Sequence, residues 1–147
     1  EFRVFQKQIG QGTLEVEVQG RRNERPLRLR FDEEWVGFDE GPVGSVDVQP
    51  FRSGRWRHIM LEIDCSRQTY SAVLDGKRRI EDIPFAAPVD AVQKIIFRTG
   101  PWRMDVRPYL IPGAPADNGL FQEDLAGADY KGNMTEYFID DVKTSSY

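Results

Sequence analysis

The feature that most constrains this chain is an alternation of apolar and polar residues with a period of two. It recurs over residues 14–19, 27–31, 59–63 and 70–74, and glycine- or proline-containing turn signals separate the segments. A period of two places apolar side chains on one face of a β-strand and polar side chains on the other. No stretch of ten residues has helical periodicity. We therefore predict an all-β fold whose strands have one face in a core and one in water.

The strand spacing predicts the architecture. Asp75-Gly76 is the strongest hairpin signal, because it lies between two strand-like segments and readily takes the positive φ angles of a tight turn. About ten to eleven strands fit the chain, which predicts a two-sheet antiparallel β-sandwich. We predict a single domain over residues 1–147, with a long loop at about 108–133, where prolines and glycines interrupt the pattern.

Composition excludes several classes of protein. The chain has 39% hydrophobic and 30% charged residues, which is too apolar for disorder, and no apolar run is long enough for a membrane-spanning helix. A net charge of −4 argues against nucleic acid as a partner. Cys65 is the one cysteine, so no disulfide can form within the chain and no zinc-ligand spacing exists. We expect neither nucleic acid nor a membrane as a partner.

Four segments resemble a known group of domains. Residues 54–64 resemble the "G-x-W-x-x-v-x-i-x-v-D" strand of concanavalin A-like and laminin-G-like jelly rolls, and segments 70–76, 95–100 and 137–143 match later strands of that group. The resemblance implies a jelly-roll sandwich of the kind appended to secreted bacterial glycoside hydrolases and polysaccharide lyases. Within the motif, Trp56 is expected to cap the sandwich, Asp64 to bond the following turn, and Asp75 to close a hairpin.

The acidic residues and the one histidine do not form a convincing catalytic set. Glycoside hydrolysis needs two carboxylates that face one cleft, and the candidate pair on one strand face, Glu62 with Asp64, belongs to the structural motif. Polysaccharide lyases use a Tyr or His base with a neutralising Arg, but His58 is more often a packing or surface residue in such a strand. We predict that the chain is not an enzyme, with a small lyase or hydrolase as an alternative.

Exposed aromatic residues near arginines are the candidate saccharide site. Sugars are held by aromatic platforms flanked by polar side chains, and arginine pairs well with carboxylate and sulfate groups. Val36 and Phe38 are predicted to face the core, which turns Trp35 outward, while Trp102 follows Gly100-Pro101 at the entry to the long loop. The alternative is that Trp102 anchors the loop while the arginines stay solvated. The predicted carbohydrate-binding residues are Trp35, Arg98, Trp102, Arg103, Arg107 and Tyr109.

Calcium is the metal we expect if the domain holds one. Carboxylates at the end of the last strand, Asp140 and Asp141, are the hard oxygen ligands that calcium prefers. No EF-hand pattern is present, and no cofactor is required by the predicted function.

These observations predict a non-catalytic carbohydrate-binding accessory module, with an acidic polysaccharide as the expected ligand class. The predicted partners are a polysaccharide or oligosaccharide and the neighbouring domains of a larger exported hydrolase or lyase. The predicted location is therefore extracellular or at the cell surface. The competing hypothesis is a structural module that packs against the catalytic domain of its parent enzyme and has no sugar site.

Overall fold

The structure, a computed structural model, describes residues 1–8, 12–32, 34–41, 44–99 and 135–146. The loop predicted at about 108–133 lies outside these residues. Within the described ranges no helix is long and apolar enough to cross a membrane. Ten strands follow one another along the chain: β1 (Phe2–Gln6), β2 (Leu14–Gln19), β3 (Leu27–Phe31), β4 (Trp35–Asp39), β5 (Ser45–Pro50), β6 (Trp56–Asp64), β7 (Thr69–Leu74), β8 (Lys77–Pro84), β9 (Lys94–Thr99) and β10 (Tyr137–Asp140).

The strands form two sheets of five strands each. The first sheet has the order β10-β1-β6-β7-β8, and the second has the order β5-β4-β3-β2-β9. All of the neighbouring strands pair antiparallel. The all-β antiparallel sandwich of about ten strands that the alternation predicts is confirmed.

The core lies between the inner faces of the two sheets. Val16 and Leu29 from the second sheet and Val4 and Ile59 from the first are fully buried there. Burying a side chain of this size stabilises the fold by about 1.5–3 kcal/mol. Because side chains alternate along each strand, this burial directs the intervening residues of every strand to an outer face.

The outer face of the second sheet carries a buried ionic cluster of Glu15, Arg28 and Asp39. Their exposed fractions are 1%, 3% and 2%. Arg28 Nη1 donates to Glu15 Oε1 at 3.1 Å and Arg28 Nε donates to Asp39 Oδ2 at 3.4 Å. The prediction that polar residues of the alternation face water is therefore wrong at the centre of this sheet. The period of two determines to which face of the sheet a side chain points, but not whether that face is exposed to solvent.

This buried cluster predicts a strong effect for a mild substitution. Glu15→Gln removes one of the two carboxylates that pair with buried Arg28 and also the carboxylate that pairs with Arg98, and breaking a buried pair costs about 3–5 kcal/mol. Glu62→Gln is the matched control, because Glu62 pairs with Arg78 at 2.8 Å while both side chains are over 40% exposed. That exposed pair is expected to contribute at most about 1 kcal/mol. Urea unfolding of both variants measures the difference, and equal losses would contradict the burial of the Glu15 charge.

Candidate functional site

A groove opens where the edge strands β5 and β8 of the two sheets come together. The loop at residues 51–55 and the β7–β8 turn complete its walls, and its volume is about 430 Å³. We call it the basic groove. Its described lining residues are Gln49, Pro50, Arg52, Arg55, Trp56, Arg57, Asp75, Lys77 and Arg79.

The basic groove has a strong excess of positive charge, because its lining combines five cationic side chains with one carboxylate. Arg57 is paired with that carboxylate, and Arg79 Nε donates to the neutral Gln49 side chain at 3.1 Å. Arg52, Arg55 and Lys77 are exposed and have no ion pair within the described part of the chain. A concave surface lined by one sign of charge concentrates ions of the opposite sign. The groove therefore suits an anionic ligand, although the protein has a net charge of −4.

Asp75 holds the inner end of the groove together. It takes φ 50° and Gly76 takes φ 76°, which is the positive-φ hairpin turn predicted from the Asp-Gly pair. Its Oδ2 accepts from Arg57 Nη1 at 2.6 Å and Gln49 Nε2 at 3.1 Å, while Oδ1 accepts from the His58 amide at 3.1 Å. Partial burial raises the pKa of Asp75, but these hydrogen bonds outweigh it and hold the pKa below its usual value. The carboxylate is thus ionised at neutral pH.

Arg57 is the buried cation of the groove, with a side chain 4% exposed. Its Nη2 donates to the Pro50 carbonyl at 3.2 Å, and its guanidinium lies 5.9 Å from the centre of the Phe51 ring. Its buried Nε has no hydrogen-bond partner among the described residues. A buried donor without an acceptor is costly. An oxygen from a ligand or a water that reached Nε would therefore stabilise the site.

Trp56 lies at the mouth of the groove and is 46% exposed. It begins β6 on the outer face of the first sheet, where its ring centre is 5.5 Å from that of Phe5. The expectation that Trp56 caps the sandwich is wrong. In this strand Arg57 and Ile59 face inward, so Trp56 faces outward and presents an aromatic surface beside the cations.

The residues predicted to bind carbohydrate are only partly within the described structure. Trp35 is 38% exposed on the outer face of the second sheet, and Val36 and Phe38 are buried, as predicted. Arg98 lies on the same face in β9, where it pairs with Glu15. Two strands separate β4 from β9, which places about 14 Å of sheet between them. The structure therefore does not bring Trp35 and Arg98 together, and Trp102, Arg103, Arg107 and Tyr109 lie outside the described residues.

Asp140 and Asp141, the predicted calcium ligands, lie at the end of β10. Asp141 Oδ2 is 3.2 Å from Arg3 Nε, and the Asp141 amide donates to Asp140 Oδ1 at 2.8 Å. Among the residues that the structure describes, no three Asp, Glu, His or Cys side chains are close enough to share a metal ion. The calcium site stays a prediction.

Sequence reasoning missed the basic groove, although part of its signal was visible. The run from Arg52 to Arg57, which leads into β6, contains three arginines and was visible in the sequence. Lys77 and Arg79 come from a hairpin about 20 residues later, and Gln49 comes from the other sheet. Only the packing of β5 near β8 joins these three groups of residues.

The chain is similar to domains that bind carbohydrate. A family model described as "Sialidase-like, CBM domain", where CBM stands for carbohydrate-binding module, matches residues 1–117. A solved structure named "Sialidase" matches with a TM-score of 0.73 and 26% identity, over 99% of this chain and 13% of that one. This chain therefore spans a small part of that protein. No curated protein matches the sequence.

The contacts of Asp75 predict a pH-dependent contribution to stability. Asp75→Asn keeps a residue type that tolerates positive φ before glycine, so the turn should persist while Arg57 loses its counter-charge. We expect a loss of about 1–3 kcal/mol at pH 7. Because the folded-state pKa of Asp75 is lowered, wild type should have its full advantage above the unfolded pKa of about 3.9 and lose it as pH falls through the folded pKa.

Denaturant unfolding of both proteins between pH 7 and pH 2 measures this advantage. Asp82→Asn is the control, because Asp82 also has positive φ but pairs with Arg67 on the surface, where both side chains are more than half exposed. It should change stability by less than about 0.5 kcal/mol. An advantage of Asp75 over its variant that is the same at pH 7 and pH 2 would refute the role of its charge.

Proposed function

The chain belongs to the family of sialidase-like carbohydrate-binding modules, and from this membership we propose that the basic groove is its saccharide site and that the ligand is anionic. The observation that carries the proposal is the exposed Trp56 ring beside Arg55, Lys77 and Arg79 at one groove. An aromatic surface next to cations is the combination that an acidic sugar requires.

Each part of the groove matches a part of such a sugar. The apolar face of a pyranose ring packs on the indole of Trp56, as sugars do on exposed aromatic side chains. A carboxylate or sulfate group on that ring is then within reach of guanidinium groups, which can bind its oxygens in bidentate pairs.

The groove is a binding site rather than a catalytic one in this proposal. Among its described lining residues Asp75 is the one carboxylate, and it is engaged by Arg57 and Gln49. Glycoside hydrolysis ordinarily uses two carboxylates on either side of the scissile bond. A module without that pair contributes by holding substrate near a catalytic domain, which raises the effective substrate concentration there.

We further propose that the module is part of a larger exported enzyme. The likeness to part of a protein named "Sialidase" supports this, because the present chain corresponds to 13% of that protein. The neighbouring domains of the parent enzyme would then be its partners, with an extracellular or cell-surface location. The segments at 54–64, 70–76, 95–100 and 137–143 support a concanavalin A-like type of jelly roll, and calcium at Asp140 and Asp141 stays part of the proposal.

The charge of the groove predicts which polymers the module retains. In affinity electrophoresis we expect retardation by polygalacturonate, polysialic acid or heparin and none by neutral dextran. The double variant Arg55→Gln/Arg79→Gln should bind roughly tenfold more weakly, since each exposed ion pair contributes up to about 1 kcal/mol. Raising the salt concentration should weaken wild-type binding as well.

Arg78→Gln is the matched control for that experiment. Arg78 is the neighbour of Arg79 in β8, but it pairs with Glu62 away from the groove, so its loss should leave retardation unchanged. Trp56→Ala should abolish most binding. If Trp35→Ala or Trp102→Ala abolishes binding while Trp56→Ala does not, the saccharide site is the one predicted from sequence, and the groove proposal is wrong. Retardation by dextran alone would refute the anionic ligand.

A further inference from the structure

Three aromatic side chains form a row across the outer face of the first sheet. Phe138 of β10 and Trp56 of β6 both pair in register with Phe5 of β1, which lies between them. The Phe5 ring centre is 5.5 Å from that of Trp56 and 6.0 Å from that of Phe138. Phe138 is 44% exposed and Trp56 is 46% exposed. We call these residues the aromatic row.

A row of polar side chains runs beside the aromatic row. Arg3 pairs in register with Asp140 of β10 on one side and with His58 of β6 on the other. Each of these residues lies two positions along its strand from the aromatic residue of that strand. Arg3 Nε lies 3.2 Å from Asp141 Oδ2, and His58 Nε2 lies 3.1 Å from Glu1 Oε2. These groups are partly exposed, so they can hydrogen-bond to a molecule that lies on the rings.

Contiguous exposed aromatic residues indicate a contact surface, whereas scattered ones do not. The aromatic row is continuous with the basic groove, because Trp56 belongs to both. Neighbouring strands are about 4.8 Å apart, which is close to the length of one hexose unit in an extended polysaccharide. A glycan that lay across β6, β1 and β10 could therefore place successive rings on successive aromatic side chains and its hydroxyl edges toward the polar row.

We propose that the aromatic row is an extension of the saccharide site and holds the sugar units next to the one whose charge lies in the basic groove. This inference rests on the proposed function. It specifies a ligand of several linked units, so the module recognises stretches of an acidic glycan and not one terminal sugar.

The size of the surface favours a glycan over a second copy of the chain. A stable protein interface buries about 800 Å² on each partner. An aromatic side chain buries about 150–250 Å² when fully covered. Trp56 and Phe138 each expose less than half of their surface, so the row offers far less area than a stable protein interface buries. The charged side chains beside the row would also lose water in a protein interface, whereas sugar hydroxyls offer them hydrogen bonds.

Calorimetric titration of the full chain with oligosaccharides of increasing length tests the inference. The probes are oligogalacturonides, α2,8-linked sialic acid oligomers and heparin oligosaccharides, each from its shortest member to the hexasaccharide, so that carboxylate and sulfate ligands are distinguished. Wild-type affinity should rise with length over the first few units. Phe138→Ala should bind the hexasaccharide roughly 3- to 10-fold more weakly and the shortest member unchanged. Phe138→Trp should restore the length dependence.

Val142→Ala is the control, because Val142 is an exposed apolar residue just beyond β10 that does not belong to the row. Equal affinity for short and long oligomers, with binding still lost in Arg55→Gln/Arg79→Gln, would overturn the inference and leave the proposed function intact. Absence of binding to every acidic oligomer would refute both. A dimer in sedimentation velocity that Phe138→Ala dissociates would assign the row to a second copy instead.

Discussion

Burial of the inner sheet faces is the interaction on which the remainder of this structure depends. Apolar residues such as Val4, Val16, Leu29 and Ile59 are driven out of water between the two sheets. Since successive side chains of a strand point to opposite sides, this burial also fixes the direction of every polar neighbour. The surfaces available for binding are therefore the outer faces and the ends of the sandwich, where the core places no demand on residue type.

The two outer faces have acquired different properties. The second sheet buries charged residues at its centre, where Arg28 pairs with Glu15 and Asp39. These charges are paired with one another within the fold, and Arg98 is also paired with Glu15. The first sheet instead exposes Trp56 and Phe138. In the adjoining groove Arg57 pairs with Asp75, whereas the other four cations have no acidic partner within the described residues. The side chains that remain available to a ligand therefore lie on the first sheet and at its junction with β5.

Asp75 connects the stability of the fold with the proposed binding site. Its backbone forms the turn of a hairpin, while its carboxylate orients Arg57 and Gln49 in the groove. A rigid groove loses less side-chain freedom when it binds a ligand than a flexible one does. The same carboxylate lowers the positive charge of the groove, so in the proposed function it weakens the attraction of an anion while it places Arg57.

The sequence by itself determined the local properties of this protein: which residues alternate, that Asp75-Gly76 closes a hairpin, and that Trp35 faces outward while Val36 and Phe38 face the core. Each follows from the geometry of one strand or one turn. Tertiary structure alone decided that Trp56 is exposed, that Glu15 and Arg28 are buried, and that Arg55, Lys77 and Arg79 line one groove. Those outcomes depend on which strands become neighbours, and pairing between distant segments is not encoded in the period of any one of them.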